Sequence, residues 1–324
     1  MSIKKYNIYQ FVNKNTAPLG LFTAILAVST AAIFIRKAQA DISSLVIATY
    51  RLSLAVIFLF PFSIRKMIRE RLVIRGQNML LLIGSGVLLG IHFAAWITSL
   101  EYTNVVSSTV LVTTSPIWVT LLSPFLLKEK LPKAFVVGLM VAIVGIVLIS
   151  LNGMCSFSPN GIHCGLEDGF NGRQGIWGNF LALFGAWCAS GYMICGRTVR
   201  KELSNQSYSF LVYSVAALTL LVISLATRQP LLKVDTSNLV WLVLLALIPQ
   251  VIGHSLLNWA LGKLPAAYVS LSLLGEPAGS AALAFLILNE KPSPLEVLGS
   301  AVIIFGIFWA NKPRRGVDEA DPNL

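Results

Sequence analysis

Glu276 lies at the centre of the apolar stretch 265–288, and Arg51, preceded by Tyr50, lies near the middle of the stretch 43–62. A charged side chain at such a depth in a membrane span costs about 2.5–3.5 kcal/mol on insertion scales, so it generally faces a protein interior or a cavity. Glu276 could exchange a proton as that cavity opens to either side, bind a cationic group of a substrate, or serve as a hydrogen-bonded structural carboxyl beside Pro277. Arg51 could grip a carboxylate or phosphate with its planar fork, pair with Glu276 across the interior, or anchor its helix on backbone carbonyls. His92 and His254 fall inside spans and could join a proton relay, or simply hydrogen-bond between helices. Gln250 and Asn258 near His254, and Asn104 near the fourth span, are open to the same two readings. No HExxH pattern or clustered Cys/His spacing accompanies them, so neither a metal nor another cofactor is expected.

Tryptophan normally collects at membrane interfaces, as Trp96 and Trp259 do near span ends. Trp118 and Trp187 fall near span centres instead, where they could line a substrate cavity or pack against neighbouring helices. Pro116 and Pro277 each remove a backbone hydrogen bond at mid-span, which predicts a kink in each helix. Gly84, Gly86, Gly90, Gly138 and Gly145 suit close helix contact.

The elements that must position these residues follow from composition. The chain has 324 residues, 56% hydrophobic and 12% charged, and a mean hydropathy of +0.75. An average soluble domain has about 45–50% and about 25%. Soluble-enzyme, nucleic-acid-binding and disordered readings therefore start far behind a membrane protein. A helix needs about 20 apolar residues to cross the hydrocarbon core. Ten segments qualify, near 17–35, 43–62, 78–99, 104–127, 134–151, 175–195, 207–226, 238–260, 265–288 and 293–310. A β-barrel is disfavoured, since these runs are continuously apolar and barrel strands alternate. The expectation is an all-α polytopic membrane protein.

The net charge of +11 falls on one side of this topology: 18 of the 25 Lys and Arg lie on the amino-terminal side, 6 on the other, and Arg51 inside a span. Cytoplasmic loops carry the excess, so residues 1–16 and 311–324 are expected in the cytoplasm and the loop 152–174 outside, in a cell inner membrane. Ala38-Gln39-Ala40 resembles a signal-cleavage site, but the preceding apolar run is too long, and Arg36 and Lys37 intervene. Cys155 and Cys164, in the outer loop, could form a disulfide or remain free thiols; Cys188 and Cys195 read as packing residues.

The chain also repeats itself. Adding 161 carries Pro116, Glu129, Lys130, Gly138 and Gly145 onto Pro277, Glu290, Lys291, Gly299 and Gly306, and Leu100 onto Leu261. The units are 17–151 and 175–310, five spans each. An odd number of spans forces the second unit to cross in the opposite sense, giving two inverted five-helix repeats with a substrate site near the mid-plane between them.

These residues resemble the drug/metabolite transporter superfamily, specifically its ten-helix EamA type. Leu274-Gly275-Glu276-Pro277, Leu288-Asn289-Glu290-Lys291-Pro292 and the glycine spacing from Gly299 to Gly306 carry the resemblance. The first half is a divergent copy, with Ser115-Pro116 in place of Glu276-Pro277 and Leu127-Lys128-Glu129-Lys130-Leu131 after span 4. The resemblance implies secondary transport of small organic metabolites, often outward, including amino acids and drugs.

The expected partners are thus a small organic solute, the lipid bilayer and protons as coupling ion, with no nucleic acid and a monomeric state favoured. No GxxxxGK[ST] phosphate loop is present and no ATP motor is expected. Two alternatives stand beside an exporter. One is an importer or exchanger of a larger charged metabolite such as a nucleotide-related compound. The other is an intramembrane enzyme, pairing Ser85 with His92 or Glu276 with His254, or a sensor.

Overall fold

The computed structural model describes residues 17–71, 74–103, 105–158, 161–164, 172–288 and 292–311. Within them the chain is helical apart from one short ribbon, as a backbone that meets lipid requires, because every N–H and C=O must be satisfied internally. The helices are α1 (Ala17–Ala38), α2 (Ser44–Arg69), α3 (Gly76–Tyr102), α4 (Val105–Val112), α5 (Ser115–Leu126), α6 (Lys133–Met154), α7 (Gly172–Val199), α8 (Asn205–Ala226), α9 (Thr236–Leu261), α10 (Ala266–Ile287) and α11 (Pro294–Ala310). Seven are long and apolar enough to cross a membrane, and three shorter apolar helices cover 110–126, 133–149 and 294–310.

Two details of the expected layout are corrected here. The segment 152–174 is not plain loop: α6 runs on to Met154, and Cys155–Ser158 (β1) pairs antiparallel with Gly161–Cys164 (β2) as a short ribbon between the helices. The register sets Cys155 opposite Cys164 on the backbone, while their side chains lie outside the described residues. The fourth span, read as continuous, is two helices. It breaks at Thr113–Thr114, whose hydroxyls turn back onto the carbonyls of Val110 and Leu111, and restarts at Ser115 with Pro116. Proline at a helix start loses no bond, because its N–H has no partner there in any case.

α10 breaks in the matching place. A 3-10 turn over Leu273–Gly275 precedes Glu276-Pro277, where the helix resumes. α9 carries a different irregularity, a π-helical stretch over Ala246–His254 that contains Pro249. Such stretches are uncommon and concentrate at functional sites.

Packing rests on close backbone approach. α3 packs on α7 and α8, α2 on α8, and α6 on α11. A Cβ on Gly86 would lie 2.5 Å from Val215 Cβ, and one on Gly90 would lie 2.9 Å from the Ala216 carbonyl. Gly84, grouped with them from its spacing, meets nothing within 4 Å. Between α6 and α11, Gly138 opposes Gly306 and Gly145 opposes Gly299, so closely that a Cβ on any of the four would lie 2.5–2.7 Å from the facing carbonyl oxygen. Under the offset of 161 this contact maps onto itself with the two helices exchanged.

Candidate functional site

The two helix breaks and the π-helical stretch meet at one cavity of about 70 Å3, which brings together Arg51 from α2, His92 from α3, Pro116 from α5, His254 from α9 and Glu276 from α10. Phe93, Trp96, Tyr192 and Leu274 complete much of its wall. That volume suits a few water molecules or one compact polar group. The restarted helices of Ser115 and Glu276 both begin at this cavity, so their positive dipole ends point toward it.

Arg51 is fully buried and is held on two sides. Its Nε donates to Gln250 Oε1 at 2.7 Å, and the guanidinium carbon lies 4.1 Å from the centre of the Phe93 ring. The cation–π contact recovers part of the hydration lost on burial. Phe93 in turn stands edge-on to His254 at 5.4 Å. His92 stacks on Trp96, and its Nδ1 donates to the Gly185 carbonyl at 2.9 Å, which fixes the ring and leaves Nε2 as its other polar atom. Ser29 on α1 donates to the Glu276 carbonyl at 3.1 Å, and its hydroxyl lies over Gly279, where no side chain intervenes.

Arg51 and Glu276 share this cavity without an ion pair, since among the described residues the one pair within 4 Å is Arg197 with Glu129. Opposite charges lining one low-dielectric space attract, which offsets part of the cost of burying each.

Trp118 and Trp187 lie elsewhere. They meet each other edge to face with ring centres 5.5 Å apart, Trp118 Nε1 donates to Thr114 Oγ1 at 3.2 Å, and Trp187 is 40% exposed on the outer surface of the helices. Pro277 sits one residue past the break in α10, beside the cavity. Asn104 lies outside the described residues. Ser85 and His92 are not paired: Ser85 Oγ bonds Tyr208 Oη at 2.7 Å and the Tyr192 carbonyl at 3.2 Å.

The buried hydroxyl network around Asn258, and the contact of Gln250 with Arg51, were the features least visible in sequence. Tyr192 Oη donates to Asn258 Oδ1, whose Nδ2 donates to Ser209 Oγ at 3.1 Å and Tyr213 Oη at 3.3 Å; Tyr213 Oη donates on to the Gln250 carbonyl at 3.4 Å. Pro249 in the middle of an apolar span was the available signal for the irregular turn that sets Gln250 against Arg51.

Beyond this network one carboxylate ties three segments together. Glu129 accepts from Arg197 Nε at 2.7 Å and from the Ala266 backbone N–H at 3.1 Å, and Arg197 Nη1 donates to the Leu261 carbonyl at 2.8 Å. Glu129 therefore joins the segment after α5 to α7 and the α9–α10 turn; its repeat partner Glu290 lies outside the described residues. Both side chains of the pair are mostly buried, and hydrogen bonds to charged groups contribute about 1.5–3 kcal/mol. Glu129→Ala is expected to lower stability by about that amount, read as an earlier unfolding transition of the purified protein. An unchanged transition would show that the clamp is idle.

The chain is similar to proteins described as transporters. The model of the EamA-like transporter family matches residues 15–151 and again residues 176–312. A protein of Clostridium kluyveri described as an uncharacterized transporter is 23% identical over 255 residues, covering 78% of each chain. The Bacillus subtilis uncharacterized transporter YyaM is 24% identical over 224 residues, covering 67% of this chain and 68% of that protein. A solved crystal structure shares the fold with a TM-score of 0.71 at 19% identity, over 91% of this chain and 96% of the other. The chain is a multi-pass membrane protein and belongs to the EamA-like transporter family, part of the drug/metabolite transporter superfamily.

Proposed function

We propose that the protein is a secondary active transporter that exports small organic metabolites across the cell inner membrane by alternating access, with protons as coupling ion and both termini in the cytoplasm. The observation that carries this reading is the cavity at which Arg51, His92, His254 and Glu276 converge from four helices, two of them broken or irregular at that point. Ten spans arranged as two inverted repeats are supported by the second family match, which begins and ends 161 residues after the first, and by the reciprocal glycine contact of α6 and α11. Inverted repeats place substrate and coupling groups at broken helices near the mid-plane. The small cavity favours a small solute over a nucleotide-sized one. Amino acids and related metabolites are the solute class, with one compact polar group of the solute seated in this space.

The test compares solute pools inside and outside cells that lack or express the protein. Export predicts one metabolite class enriched outside on expression. Enrichment inside would reverse the direction, and unchanged pools with inserted protein present would sink the transport reading.

We also propose that Cys155 and Cys164 form a disulfide on the outer face. Directly opposed residues in an antiparallel ribbon have Cα atoms about 4.5–5.5 Å apart, inside the range a disulfide spans. Alkylation without reductant should then leave two of the four cysteines unlabelled by mass, and four labelled cysteines would refute the bond.

A further inference from the structure

Three polar atoms around Arg51 have no hydrogen-bond partner among the described residues: Arg51 Nη1, Gln250 Nε2 and His254 Nδ1. Arg51 and Gln250 are 1% and 0% exposed, so bulk water does not serve them. Buried donors are paired in the great majority of cases, and a group of exceptions at one place calls for an explanation. Here the geometry restricts it. Arg51 Nε is a donor only, so the Gln250 atom facing it must be the carbonyl oxygen, which makes the opposite end of the amide an N–H2 donor. Gln250 and His254 stand four apart on the irregular turn of α9, and Arg51 and His254 both line the cavity.

We infer that Arg51, Gln250 and His254 form an anion subsite that binds a carboxylate group of the transported solute. A planar guanidinium edge beside an amide N–H2 presents donors to both oxygens of a planar carboxylate. The cavity is small, and Glu276 occupies its other wall, so a compact monoanion is accepted at less electrostatic cost than a dianionic phosphate. The Phe93 ring lies 4.1 Å from the guanidinium carbon and backs it on one side. Gln250 is the residue that decides the ligand: without its amide the guanidinium keeps its charge and loses its second donor partner. This deepens the transport reading, because the bound group is taken to be part of the transported solute.

The test is binding to the purified full-length protein in detergent, followed by its unfolding midpoint. The probes are sodium propionate against propionamide, and alanine against alaninamide, with sodium chloride matching ionic strength. Propionate and alanine should each raise the midpoint by about 2–4 °C at roughly ten times their dissociation constants, whereas the amides and chloride should not. Arg51→Lys should remove the shift, and Gln250→Met should weaken propionate at least about ten-fold, the loss of one charge-assisted contact. Equal effects of acid and amide on the unaltered protein would overturn the subsite without recourse to any variant. So would a carboxylate-specific shift that survives both substitutions. Because binding is read directly, carboxylate binding with no solute moved in cells would overturn transport alone, and movement of solutes without carboxylate-specific binding would overturn the subsite alone.

Discussion

Glu276→Gln is expected to cut solute movement about 10- to 100-fold while leaving the folded protein at least as abundant in the membrane. The substitution keeps the shape of the side chain and its place at the restart of α10, next to the Ser29 contact made through the backbone. What it removes is the charge, together with any proton that the carboxyl exchanges. A hydrogen bond to a charged group is worth about 1.5–3 kcal/mol, which converts to the stated range at about 1.4 kcal/mol per decade. Removing a half-buried charge that lacks an ion pair also removes its desolvation cost, so stability should hold or rise. The measurement is solute flux in cells or in vesicles of purified protein at several pH values. The variant should be slow and should lose the part of the parent's pH dependence that the carboxyl carries, while Arg51 keeps its charge and His92 and His254, facing position 276 from α3 and α9, remain as titratable groups. A variant that moves solute at the parent rate with the parent pH profile would remove Glu276 from the mechanism.

Gly306→Leu is expected to damage the fold itself. A Cβ on Gly306 would lie 2.6 Å from the Ala142 nitrogen and 2.6 Å from the Gly138 carbonyl oxygen, both backbone atoms that cannot rotate away. α11 must then withdraw from α6 along the seam that Gly145 and Gly299 share. Overpacking costs about 1–3 kcal/mol where side chains can adjust, and a clash against backbone belongs at or above the top of that range. Folded yield after membrane extraction should fall sharply, and Gly138→Leu should behave alike because the contact is reciprocal. Gly84→Leu is the control: nothing stands within 4 Å of its Cβ position, so yield should be unchanged. Equal yields for all three would mean that the helices do not meet at these glycines.

The glycines mark how far the sequence reaches. Gly138, Gly145, Gly299 and Gly306 were legible because two copies of one spacing recur at a fixed offset, and recurrence separates a packing glycine from an incidental one. Gly84 sits two residues from Gly86 with no repeat partner, and composition alone could not divide them. The facing of Trp118 and Trp187 stayed open for a related reason: a helix apolar on every side gives no signal for which face turns inward. Trp187 is exposed and meets Trp118, and Phe93, an unremarkable residue in a run of apolar ones, lies against Arg51.

By itself, the sequence determined the apolar spans, the charge bias, the family resemblance and the depth of Arg51 and Glu276, because each of these depends on local hydropathy or on a spacing along the chain. Tertiary structure alone decided that Arg51 meets Gln250 across 199 positions, that it shares a cavity with Glu276 without pairing, and that both helix breaks open onto that cavity. Those outcomes depend on how helices rotate about their own axes as they pack, and in lipid that rotation is set by close fit and polar contacts that hydropathy does not record.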